Sequence, residues 1–192
     1  MSGITLDGLR ETLNARTPVT APPTGRTEAA VAIALAPAED DLKVLFIKRA
    51  DVRGDPWSGQ MAFPGGRRDA GDADLIATAI RETEEETGIA LVRERLIGQL
   101  DDLAPTISVL PPVLVRPFVF RLDQEFMVHP SAEVALAVWT SLSELLDSAR
   151  EVRIDVRGAP RTVPAFHIGP HVVWGMTHRI VSNLRDLAYT SR

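Results

Sequence analysis

Residues 65 to 89 read Gly-Gly-Arg-Arg-Asp-Ala-Gly-Asp-Ala-Asp-Leu-Ile-Ala-Thr-Ala-Ile-Arg-Glu-Thr-Glu-Glu-Glu-Thr-Gly-Ile. The spacing predicts a glycine loop that enters a helix. An α-helix turns about 100° per residue. Glu85 and Glu86 therefore fall roughly 60° to one side and 40° to the other of Glu82, so the three share one stripe. Ile76, Ala79, Ile80, Thr83 and Thr87 form the opposite face, at the spacing of a helix packed on a core. Glu84 lies outside the acidic stripe and is expected in solvent. Asp72 or Asp74 can cap the amino end. Gly88 suits the left-handed position just past the carboxyl end.

A solvated acidic face is the alternative for any glutamate run, because like charges at i and i+4 cost only tenths of a kcal/mol in water. The context argues against it. At average residue usage, Arg-Glu-x-x-Glu-Glu-x-Gly arises in a chain this size on the order of once in ten thousand. Three neighbouring carboxylates imply a cation, and oxygen donors imply a hard one, Mg²⁺ or Mn²⁺. Glu82 and Glu86, one turn apart, are the first candidates for ligands, with Glu85 the third. Arg81, one turn before Glu85, can hold that carboxylate by a charge-assisted bond, or form a plain surface ion pair. Gly65 and Gly66 allow close backbone approach to the site, or make a simple tight turn.

At this point the chain resembles the Nudix hydrolases. Their pattern is glycine, five residues, glutamate, seven residues, then Arg-Glu-aliphatic-x-Glu-Glu-x-Gly-aliphatic. Arg81, Glu82, Glu85, Glu86, Gly88 and Ile89 match the second half. Thr83 replaces the aliphatic residue. Gly66 is one residue too far from Arg81, and the early glutamate is replaced by Asp72 or an alanine. The branch resembling coenzyme A pyrophosphatases has the same stretch. Leu45 to Ala50, Arg53, Gly59-Gln60, Phe63-Pro64-Gly65-Gly66 and Trp174-Gly175-Met176-Thr177 are similar to its signatures. The departure is the insert Gly54-Asp55-Pro56-Trp57-Ser58, which bears on substrate recognition.

The resemblance implies an α/β fold, a Nudix-type α/β/α sandwich with a mixed β-sheet. It implies metal-dependent attack of water on a diphosphate bond in a nucleoside diphosphate linked to another group, with coenzyme A or a derivative as the first substrate. ADP-ribose, dinucleotides and nucleoside triphosphates are the alternatives, and a catalytically silent nucleotide-sensing domain is another. It further implies catalytic roles for Glu85, Arg81 and Glu133, the last as added metal ligand or general base. Arg49 and Arg53 are candidates for substrate phosphates, with Gly65 and Gly66 beside them. A homodimer is common in the family, and no interface is indicated.

Working outward, residues 1–27 read as a short amphipathic helix (Ile4, Leu6, Leu9, Leu13) and a Pro/Thr-rich connection, and 28–192 as the catalytic domain. Strands are expected at 29–35, 43–48, 60–63, 96–100, 113–122 and 134–139. A loop carrying Pro105, Pro111 and Pro112 separates two of them. A helix begins at Leu142, a hairpin turns at Gly158-Ala159-Pro160, and 175–189 closes as a helix with Ile180, Leu184 and Leu187 inward. Trp174 is expected in the core. Trp57 is expected to pack on its own scaffold, with stacking on a base as the other reading. Met61 and Met176 read as packing residues. His167 and His171 are separated by Gly169-Pro170, which forbids a helical metal pair.

Composition bounds the function. With 192 residues and 45% hydrophobic content the chain can bury a real core. A net charge of −5 argues against nonspecific nucleic-acid binding. Cysteine is absent, so thiolate zinc and disulfides are excluded. No basic and apolar leader or membrane-length apolar run is present, which leads to an expected cytoplasmic location.

Overall fold

The computed structural model of the chain describes residues 4–105, 112–156 and 158–190. Pro111 of the expected loop and the Met1–Gly3 start lie outside the described residues. The elements run α1 (Leu6–Asn14), β1 (Thr27–Pro37), β2 (Leu42–Arg49), β3 (Met61–Ala62), β4 (Gly65–Arg67), α2 (Leu75–Thr87), β5 (Leu96–Gln99), β6 (Val113–Arg121), β7 (Val134–Ser141), α3 (Leu142–Asp147), β8 (Arg150–Val156), β9 (Ala159–Ile168), β10 (His171–Val173) and α4 (Gly175–Thr190).

Strand β1 organises the molecule because both of its faces are apolar. Successive strand residues point to opposite faces. Ala30, Ala32, Ala34 and Ala36 meet Leu75 and Ala79 of α2 on one side. Ile33 and Leu35 meet Leu9 and Leu13 of α1 and Ile180 and Leu184 of α4 on the other. The alanine stripe leaves room for α2 to lie close, while the larger stripe fills the space beneath two helices. The result is an α/β/α sandwich around a mixed sheet, in which β1 runs parallel to β6 and antiparallel to β2. Each buried leucine contributes roughly 1.5–3 kcal/mol, so Leu9 and Leu13 tie α1 to the same core as the sheet. A Cβ on Gly98 would stand 2.7 Å from the Leu13 side chain, a measure of how closely α1 approaches β5. The connection after α1 is irregular, and the Val19 and Ala21 amides donate to Asp101 and Asp102.

Strands β1 and β2 pair only at Leu35–Pro37 with Leu42–Val44, and then fork. Strand β3 pairs with β2 inside the fork, and β4 pairs with β1. Gly65 and Gly66 therefore form a strand, not the expected loop. The cause is the fork, which leaves the backbone of Ala30 and Val31 to be satisfied by the glycine segment. A Cβ on Gly65 (φ 150°) would stand 2.2 Å from the Ala30 carbonyl oxygen.

The second sheet joins β8, β9 and β10. Its hairpin is tighter than expected. Gly158 (φ 79°) sits in the turn, so Ala159 and Pro160 already pair with Val156 and Asp155. Helix α4 buries Ile180, Val181, Leu184 and Ala188. Leu187 is half-buried against them, and Trp174, ahead of the helix, is half-buried and not core. His167 and His171 lie on adjacent strands, with His171 opposite Ile168. Among the described residues, no helix is long and apolar enough to cross a membrane.

Candidate active site

Helix α2 is fixed at both ends. Asp74, not Asp72, is its N-cap and accepts from the Ala77 amide at 2.8 Å. Gly88 (φ 72°) ends it, donating to the Glu84 carbonyl at 2.8 Å. The inner face buries Leu75, Thr78, Ala79, Thr83 and Thr87. Thr83 and Thr87 are fully buried because their hydroxyls donate to the carbonyls one turn back, both at 2.6 Å. A threonine thus stands where an aliphatic side chain is usual without leaving an unsatisfied group.

The three motif glutamates have different fates. Glu86 is 4% exposed, and one of its oxygens accepts from the Gly65 amide at 2.8 Å. Burial pushes its carboxyl up to about 7; the Gly65 bond opposes this, and the nearby Glu82 and Glu133 charges add to it. Glu82 is partly buried, and desolvation raises its pKa against the pull of Arg81. Its carboxylate lies against Gly66, where a Cβ would come within 2.4–2.5 Å. Glu85 is 59% exposed and turns to Arg81 at 3.0 Å, away from the cavity. Glu84 is exposed.

Arg81 is saturated. Its Nε and Nη2 bond both oxygens of Asp72 at 3.0 and 2.9 Å, Nη2 also bonds the Arg67 carbonyl, and Nη1 bonds Glu82 and Glu85. Asp72 is buried, and also accepts from the Asp69 amide and the Thr78 hydroxyl. The Arg81 bond, more than any other contact, holds its carboxyl well below the usual range, against the effect of burial. Arg81 therefore places Glu82 and Glu85 from behind, while Asp72 fixes Arg81.

Six of the residues singled out from sequence, Arg49, Gly65, Gly66, Glu82, Glu86 and Glu133, line one cavity of about 650 Å³. The acidic end holds Glu82, Glu86 and Glu133. The floor is apolar, with Val31, Val113 and Val115 from the sheet, Phe63 from the link between β3 and β4, and Met176 and Ile180 from α4. Met61 and Trp57 border it as well. Glu133 arrives through the strap 129–133, whose His129 and Ser131 amides bond the Thr87 and Glu86 carbonyls at 2.8 and 3.0 Å. These are carbonyls the helix end leaves without an internal partner. Arg49, at the end of β2, pairs with Asp55 at 2.9 Å, and its buried Nε has no partner. Arg53 is exposed on the outer turn and does not line the cavity. Two residues were given no such site role from sequence, Asp72 as the anchor of Arg81 and Asp55 as the partner of Arg49. Both act over contacts that no local periodicity encodes.

Among the described residues no three His, Asp or Glu side chains form a ready-made metal cage. The donor set nevertheless fits a hard divalent ion. Magnesium typically takes one or two carboxylates and keeps its waters. Glu86 is a buried carboxylate with no cation bonded to it, and it shares the cavity with Glu82 and Glu133. Burial disfavours the charged form of such a group at neutral pH, and a bound positive partner restores it.

A sequence profile for the NUDIX domain matches residues 26–158. The chain is 35% identical over 162 residues to the uncharacterized Nudix hydrolase NudL of Enterobacter sp. (strain 638), covering 83% of this chain and 81% of that one. It is 33% identical over 153 residues to the mitochondrial coenzyme A diphosphatase NUDT8 of Homo sapiens, covering 78% of this chain and 64% of the relative. Among solved structures, a MutT/nudix family protein from Enterococcus faecalis superposes with a TM-score of 0.62 at 16% identity, covering 96% of this chain and 70% of that one.

Proposed function

Since this chain belongs to the Nudix family, we propose that it hydrolyses the P–O–P bridge of a nucleoside diphosphate linked to another group, with coenzyme A or a derivative as substrate. The observation that carries the reading is Glu86, buried with no ion-pair partner among the described residues, beside Glu82 and Glu133 at one end of a cavity. Glu82 and Glu86 are the residues that would hold Mg²⁺ or Mn²⁺, with Glu85 the third candidate one position before Glu86 on the same helix. When bound, the ion supplies Lewis-acid stabilisation of the diphosphate and a lowered pKa for bound water.

The chain's own residues supply the rest. Gly65 and Gly66 give the substrate close access to the carboxylates, since neither carries a side chain between strand and helix. Arg49 at the cavity wall binds a phosphate oxygen. Glu133 stands in the same cavity to accept the proton of the attacking water. That water adds to one phosphorus, the bridging oxygen leaves with the other phosphoryl group, and two monophosphate esters result. Arg81 positions Glu82 and Glu85 without entering the cavity.

Coenzyme A is favoured by the segment from Leu45 to Gly66 and by the 33% identity to a relative named as a coenzyme A diphosphatase. The test offers coenzyme A, ADP-ribose, a dinucleotide and a nucleoside triphosphate with Mg²⁺ or Mn²⁺ and identifies products by mass. The reading expects an adenosine bisphosphate and a phosphopantetheine. Turnover of ADP-ribose alone would remove the substrate and keep the chemistry; binding without turnover of any nucleotide would point to a sensor.

A further inference from the structure

The insert 54–58 is tied down on every side. The Val52 amide donates to the Ser58 hydroxyl at 2.8 Å, and the Gln60 side chain donates to the Pro56 carbonyl at 3.3 Å. Asp55 uses both oxygens. One accepts from the Arg49 guanidinium at 2.9 Å, the other from the Trp57 amide at 3.0 Å. A single carboxylate therefore ties the proposed phosphate-binding cation Arg49 to the backbone that carries Trp57.

That indole has two surroundings. It packs against the main core, as expected for a loop aromatic, and it also borders the cavity. Pro56, Met176 and Ile180 line the cavity with it. A ligand that satisfies this wall carries an anionic phosphate at Arg49 and a flat apolar group at Trp57. A nucleobase is such a group, because every base has a π-face that stacks on an aromatic ring.

We propose that Trp57 is the stacking platform for the substrate's nucleobase, and that Asp55 is the positioning residue that sets it relative to Arg49. The inference rests on the nucleotide pyrophosphatase reading for its substrate class, and names the residue that holds the base.

The experiment uses the full chain and the variants Trp57→Phe, Trp57→Ala and Asp55→Asn. Tryptophan fluorescence is titrated with AMP, without metal, while calorimetry records binding. Quenching in the wild type that disappears in Trp57→Phe, with binding retained and Trp139 and Trp174 still present, supports the platform. Kinetics then compare an adenine nucleotide with a base-free dialkyl diphosphate. Loss of one stack lowers the nucleotide-to-dialkyl ratio of kcat/KM roughly tenfold or more in Trp57→Ala, with most of it restored in Trp57→Phe. Asp55→Asn raises the nucleotide KM with kcat changed less than about twofold, which a general loss of fold would not do.

Quenching that persists in Trp57→Phe, no AMP binding by the wild type, or an unchanged substrate ratio in Trp57→Ala overturns the proposal. So does quenching by phosphopantetheine in place of AMP, which would seat the apolar arm there. A wild type that is quenched by AMP yet turns over no nucleotide would sink the proposed reaction and leave the platform standing.

Discussion

The backbone amide of Gly65 donates to the buried carboxylate of Glu86 at 2.8 Å. This bond joins the central sheet to the acidic face of α2, and it is the only protein hydrogen bond to that carboxylate among the described residues. One neutral donor does not offset the burial of a full charge, so Glu86 titrates near 7.

A stability prediction comes directly from that value. The folded pKa of Glu86 is raised from 4.5 to about 7. Its favourable contribution is therefore present below about pH 4.5 and is lost as pH rises through about 7. The loss amounts to roughly 3 kcal/mol. In chelator, Glu86→Gln should be more stable than the wild type at pH 8, and the difference should shrink toward pH 5. Thermal melts across pH 5 to 8.5 check this; equal melting temperatures at pH 8 contradict it.

The second prediction concerns Gly66. A Cβ there would come within 2.4–2.5 Å of the Glu82 carboxylate, whereas one on Gly71 meets nothing within 4 Å. Gly66→Ala should lower kcat/KM by on the order of a hundredfold by displacing a proposed ligand, an effect of roughly 3 kcal/mol on the barrier. Gly71→Ala is the control, with activity within about twofold. Steady-state kinetics on both variants decide it.

Asp72 yields a third. It is 6% exposed on its side chain and takes two bonds from Arg81. Removing one partner of a buried pair costs roughly 3–5 kcal/mol. Arg81 retains some solvent contact and three other acceptors, so Asp72→Ala should fall at the low end of that range. Glu85→Gln, which breaks an exposed pair, should cost less than about 1 kcal/mol. Urea unfolding in chelator measures both, and equal losses would be inconsistent with Asp72 as the anchor.

A fourth separates the two arginines. Arg49 lines the cavity and Arg53 does not. Arg49→Ala should raise KM about tenfold, while Arg53→Ala stays within about twofold. A larger defect in Arg53→Ala would place the substrate over the outer turn instead.

What the sequence made legible was local. The period of α2, its Gly88 stop and the stripe of Glu82, Glu85 and Glu86 all follow from helical geometry within one turn or two. The strand at 29–35 follows from its unbroken apolar run. Pairings that close over distance were hidden. Gly65 and Gly66 become a strand because β1 and β2 fork, and neither strand announces the fork in its own residues. Asp72 reads as one of two possible caps, yet it holds Arg81 nine positions away. Glu85 shares the acidic stripe, but it does not line the cavity, because Arg81 draws its carboxylate aside. Arg53 belongs to a family-like signature whose spacing the insert 54–58 has changed, and the structure leaves it outside.

Metal uptake at pH 8, measured by titration calorimetry with Mg²⁺ or Mn²⁺ on the wild type and on Glu86→Gln, tests the central claim most directly. The buried carboxylate beside Glu82 and Glu133 should give a saturable isotherm in the wild type, weakened at least tenfold in the glutamine variant and weakened in the wild type as pH falls below 7. An absence of uptake by the wild type, or equal uptake by both proteins, would contradict the account.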